Sequence, residues 1–112
     1  LFMLESNNGI EFTNNNKIPL VEVIAQMEKE IQMSGEQYTF GGDTPLNLIA
    51  ELSTFLKQID SGTRIDNLFY RIDINPAKKD DKLTYYKALA TLAWNRVFQK
   101  VWFRKSFKTE NK

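Results

Sequence analysis

"KLTYYKALATLAWNRVFQKVWFRKSF", residues 82–107, decides how this chain folds. It contains no Pro, no Gly and no acid, and its apolar residues return at about 100° per residue, the helical period. On a helical wheel Leu83, Tyr86, Ala90, Ala93, Trp94, Val97, Phe98, Val101 and Trp102 fill one broad arc. Tyr85, Leu89, Leu92, Phe103 and Phe107 fill a second arc on roughly the opposite side, and Arg96, Lys100 and Arg104 form an i, i+4, i+8 stripe between them. A helix that is apolar on two sides needs neighbours on two sides. The pattern therefore predicts a long helix at the centre of an all-α domain.

Length adds a second expectation. About 25 residues at 1.5 Å each span roughly 38 Å, whereas a compact chain of this size has a diameter of roughly 34 Å. The helix reaches the edge of its own domain. Trp102, Phe103 and Phe107, near its end, are then expected to form an exposed aromatic patch, the usual mark of a contact surface. A second copy of the chain is the simplest partner for it, because two-fold dimers dominate soluble oligomers.

Three further helices can be read upstream. In "IPLVEVIAQMEKEIQM" (18–33), Leu20, Val23, Ile24, Met27 and Ile31 recur at helical spacing, Pro19 suits the first helical position and Ser34-Gly35 the end. In "DTPLNLIAELSTFLKQIDSG" (43–62), Thr44 is a natural cap, Pro45 sits at the first position, Gly62 closes the segment, and Leu48, Ile49, Leu52, Phe55, Leu56 and Ile59 share a face. "GTRIDNLFYRIDINP" (62–76) carries two periods. Ile65, Leu68, Phe69 and Ile72 fit a helix that Thr63 would cap, whereas Leu68, Tyr70, Ile72 and Ile74 alternate as in a strand. A lone strand would have nothing to pair with, so the helix is preferred. Asn75, before Pro76, is pushed to an extended exit, and Asp80 or Asp81 is placed to cap the last helix. Residues 1–17 read as irregular or as a short β-hairpin turning at "NNG". The expected architecture is a single domain over 1–112, a compact four-helix domain or bundle with helices near 19–33, 45–61, 64–73 and 82–107.

Composition narrows the chemistry. With 42% apolar and 26% charged residues the chain is an ordinary globular one, and fourteen aromatics give it large groups to bury. There is neither Cys nor His. That removes disulfides, thiol nucleophiles, ordinary zinc sites, Ser-His-Asp triads and the Glu-x-x-His di-iron pattern, leaving only oxygen-ligand metals such as magnesium or calcium. No cofactor is implied. The longest apolar stretch, "ALATLAW" (88–94), falls far short of the roughly 20 residues of a membrane span. No secretory signal is visible in residues 1–20, so a cytoplasmic location is expected. The chain opens on Leu1 and not on Met, so native residues are expected before it.

Charge is divided between the halves. Residues 1–60 hold three Lys and nine acids, net −6, and residues 61–112 hold twelve Lys or Arg and five acids, net +7. Two readings compete. Arg96, Lys100, Arg104 and Lys105 could contact phosphates while aromatics stack on bases. Alternatively, the basic half pairs with the acidic half, and the long basic stems lie over apolar neighbours with their charges in water. The second is preferred, since a pI of 8.1 is low for a dedicated nucleic-acid domain and no recognition motif accompanies the cations. Pairing with Glu22, Glu28, Glu30 or Glu51 would mark the basic residues as architectural.

Two short motifs complete the search. "FGGDT" (40–44) could aim backbone N–H groups at an anion where the second helix begins, but it lacks the Lys-Ser/Thr of a P-loop, so a simple chain reversal is expected. In "YRID" (70–73) Arg71 could clamp an anion in a bidentate fork; the plainer expectation is an ion pair with Glu51 or Glu22. No pair of groups suited to catalysis emerges. The expected role is a non-enzymatic interaction module, self-associating through the aromatic C-terminal helix or joining another protein. A nucleic-acid accessory is the alternative.

Overall fold

A computed structural model describes residues 18–75 and 83–110, with side chains of the last helix described over 85–105. The fold is all-α. Its four helices are α1 (Leu20–Met33), α2 (Pro45–Ile59), α3 (Arg64–Ile72) and α4 (Leu83–Glu110). The expected N-terminal hairpin and the capping role of Asp80 or Asp81 lie outside the described residues.

Local chemistry explains most boundaries. α2 starts where its sequence says it should: Thr44 Oγ1 accepts the Asn47 N–H at 3.2 Å, and Pro45 occupies the first turn. α1 begins one residue later than expected, with Pro19 in extended backbone as the cap position itself. Thr63 holds the cap position of α3, but its side chain makes no capping bond. Residues 64–72 are helical, not extended, and the helix closes on Asp73 in the left-handed conformation (φ 72°). The short Asx side chain tolerates that region better than most residues. Gly35 (φ 102°) and Gly62 (φ 58°) turn the chain after α1 and before α3.

α4 is the spine. Its 28 residues span about 42 Å at 1.5 Å each, close to the 45 Å longest extent of the fold. Both α1 and α2 run antiparallel to it. Along α2, Leu48 meets Trp94 and Asp60 meets Tyr86; along α1, Glu22 meets Lys105 and Glu30 meets Lys100. The short α3 packs against the other three helices. One core joins Val23, Met27 and Ile31 of α1, the six expected apolar residues of α2, Ile65, Leu68, Phe69 and Ile72 of α3, and Tyr86, Ala90, Ala93, Trp94, Val97, Phe98 and Val101 of α4. Leu20 and Ile24 are only partly buried at its margin. Phe40, from the α1–α2 loop, closes it over Trp94 with ring centres 5.0 Å apart.

The second apolar arc of α4 departs from expectation. Leu89 is buried and Tyr85 packs at the core margin, but Leu92 and Phe103 are exposed. Leu89 borders the main arc and is drawn into it, while the residues further round face away from α1 and α2. Trp102, counted with the main arc by spacing, is 39% exposed. Past Val101 the polarity of the helix inverts. The positions that continue the core-facing direction are Arg104 and Lys105, and the aromatics turn outward.

Candidate functional site

The outer part of α4, from Arg96 onward, holds most residues singled out by sequence, and α1 and α3 decide what each of them does. Lys100 Nζ donates to Glu30 Oε2 at 3.1 Å and to the Arg71 carbonyl at 2.9 Å, tying α1 to the C-terminal turn of α3. Arg96 pairs with Asp73 at 3.0 Å. Arg104 donates to Gln26 Oε1 at 2.9 Å, and Lys105 spans both oxygens of Glu22 at 3.1 Å. The stripe is thus not one continuous band. Arg96 and Lys100 are engaged with α3 and the buried end of α1, whereas Arg104 and Lys105 meet α1 at the surface.

Glu30 was one of four acids expected as partners for the basic residues, but its burial was not foreseen. Its side chain is only 4% exposed, yet it is acidic. Gln26 Nε2 and Lys100 Nζ both donate to Oε2, and the Arg71 guanidinium stands 3.6 Å from Oε1, which has no hydrogen-bond partner. A buried charge survives only when paired, and two cations from two other helices supply the pairing. The signal was present in the sequence: Val23, Met27 and Glu30 follow i, i+4, i+7, which puts an acid in register with the core face. Arg71 therefore pairs with Glu30, not with Glu51 or Glu22, because the packing of α3 carries it to the end of α1.

The "FGGDT" loop is filled from within. Glu51, one and a half turns into α2, accepts the Gly41 N–H and the Tyr38 hydroxyl at Oε1, each at 2.9 Å, and the Gly42 N–H at Oε2. Burial pushes the Glu51 carboxyl up. The Gly41 N–H, the Tyr38 hydroxyl and the Gly42 N–H outweigh that push and leave it below its ordinary value. Burial, followed by the hydrogen bond and charge of Glu51, raises the Tyr38 phenol, so it stays a donor. A side chain at position 42 would place Cβ 2.9 Å from Asn47 Cβ, which is why glycine stands there. Nearby, Arg64 forks onto Glu36 with two 2.8 Å bonds. Those bonds hold the Glu36 carboxyl below its usual range against partial desolvation. The loop and Arg71 are held by different glutamates, Glu51 and Glu30.

The aromatic end remains. Trp102 and Phe103 pack edge to face with centres 5.2 Å apart and are 39% and 47% exposed. Phe107 lies one turn further along the helical backbone, its side chain outside the described set. Among the described residues no three acidic side chains gather as a metal ion requires, and no helix is long and apolar enough to cross a membrane. The sequence matches no protein-family model, and no curated protein and no solved structure shows detectable similarity to it.

Proposed function

We propose that the chain is a non-enzymatic, cytoplasmic assembly module that pairs with a second copy of itself through the aromatic end of α4. The observation that carries this reading is the Trp102–Phe103 pair, two large rings exposed side by side where the helix leaves the core. Exposed aromatic clusters of this kind supply interface anchors, and tryptophan is the residue most enriched among them. Glu30 supports the same view from the other side, since it engages Lys100 within the protomer. Nucleic-acid binding along the whole stripe has less support for that reason.

Light scattering after size exclusion, from low to high micromolar protein, tests the proposal. A particle of twice the 13.1 kDa chain mass is expected. Replacing Trp102 and Phe103 with serine should weaken pairing by about thirtyfold or more, the effect of losing an anchor worth about 2 kcal/mol. A monomer at every concentration overturns it.

A further inference from the structure

We propose a second site, independent of self-association: the groove between α1 and the outer end of α4 binds a phosphate group. The groove encloses about 390 Å³ and takes Lys29 from α1 and Arg104 and Lys105 from α4. Among the described residues lining it, one acid, Glu22, stands against three cations. Small Ala25 and the buried Val101 keep it open between the two helices.

Lys29 and Arg104 retain capacity for an anion. Arg104 has five N–H donors in a planar fork, and its bond to Gln26 Oε1 leaves its charge unneutralised. Lys29 stands on the exposed side of α1, and the acids that flank it in sequence face elsewhere. Glu28 accepts the Phe40 N–H at 2.9 Å, and Glu30 is committed to Lys100 and Arg71. The Glu22–Lys105 pair is 43% and 42% exposed; such surface pairs are weak and yield readily to a stronger acceptor. Residues 94–109 contain no acid to oppose the field. A tetrahedral phosphate can accept a bidentate Arg on one edge and lysines from other directions, which a planar carboxylate satisfies less well.

The test is an amide-resolved NMR titration of the full chain with inorganic pyrophosphate and, separately, with an oligothymidylate strand, each at low and high salt. Shifts should concentrate at Lys29, Arg104 and Lys105 and shrink as salt rises. Lys29→Gln and Arg104→Gln should each weaken binding about tenfold, the worth of one charge-assisted hydrogen bond. Lys87→Gln, at the other end of α4, should bind as the parent does. Lys29 has an exposed, solvent-facing side chain, so its variant leaves the fold intact. Tighter binding of the strand than of pyrophosphate would identify the phosphate source as nucleic acid, and pyrophosphate binding alone would identify a small phosphate compound. Shifts no larger in the groove than around Lys57 and Lys87, or a Lys29→Gln variant that binds unchanged, overturn the proposal.

Discussion

The α2–α4 contact is mainly apolar: it brings buried Trp94, Ala90 and Val97 together with buried Leu48, Leu52 and Leu56, and the indole N–H of Trp94 donates to the Leu48 carbonyl at 3.0 Å. Where α4 meets α1, a narrower apolar seam of Val23, Met27 and Ile31 is bordered by Glu30–Lys100, Gln26–Arg104 and Glu22–Lys105. The first contact draws its stability from area removed from water and from close packing. The second depends on charges whose worth runs from substantial at buried Glu30 to slight at exposed Glu22. One helix is therefore held in two physical regimes, and the inversion of its polarity past Val101 marks where the regime changes.

The difference can be broken most severely on the apolar side. Trp94→Ala should cost about 3–5 kcal/mol in denaturant unfolding, the range for truncating a fully buried aromatic, and added salt should leave that loss unchanged. On the charged side, Lys100→Met leaves Glu30 buried with only Gln26 and the more distant Arg71. A loss of about 2–3 kcal/mol is expected. Adding Glu30→Met to the same chain should recover most of it, because exposed Arg71 can turn to water while an apolar pair fills the space. A double variant less stable than Lys100→Met alone would show that the ion cluster stabilises the fold beyond charge pairing.

The smallest effect sharpens the contrast with a third kind of contact, a carboxylate held chiefly by backbone. Glu51→Gln keeps the shape but turns an amide N–H₂ toward the Gly42 N–H, so a loss of about 1–2 kcal/mol is expected. Glu51 has a depressed carboxyl in the fold. Its stabilisation is complete above the ordinary value of 4.5 and is lost as pH falls through the lower folded value. Unfolding free energies measured across that window should fall with acid in the parent and fall less steeply in Glu51→Gln. Equal slopes would remove Glu51 from the account of acid sensitivity.

Which parts were legible in sequence follows from how local their physics is. Thr44-Pro45 could be read because a cap and its helix are neighbours in the chain. Ile65, Leu68, Phe69 and Ile72 fitted a helix no better than the neighbouring alternation fitted a strand, and the helix could be preferred only because a lone strand would have had nothing to pair with. The exposure of Trp102 and Phe103 followed from comparing a helix length with a domain diameter. The partners of Arg71 and Glu51 could not be read. An ion pair between α1 and α3 depends on a packing geometry that no spacing encodes, and the filling of the "FGGDT" loop depends on Glu51 being carried back toward Gly41 by α2. Glu30 stands between these cases: its register was visible, but its acidity drew it to the polar face by type. The groove of Lys29, Arg104 and Lys105 needed two helices side by side, 75 positions apart in the chain between Lys29 and Arg104.

Because the spine is the last helix in chain order, its placement bears on biosynthesis. α1, α2 and α3 all emerge before the surface that joins them, and the apolar face of α2, complete at Ile59, must wait for Trp94, which meets Leu48. At about 5–20 residues per second, the 35 positions 60–94 take roughly 2–7 s to be made. Throughout that interval Leu48, Leu52, Phe55 and Leu56 lack the helix that later covers them, and the nascent chain offers holdase chaperones an apolar stretch that the finished protein conceals.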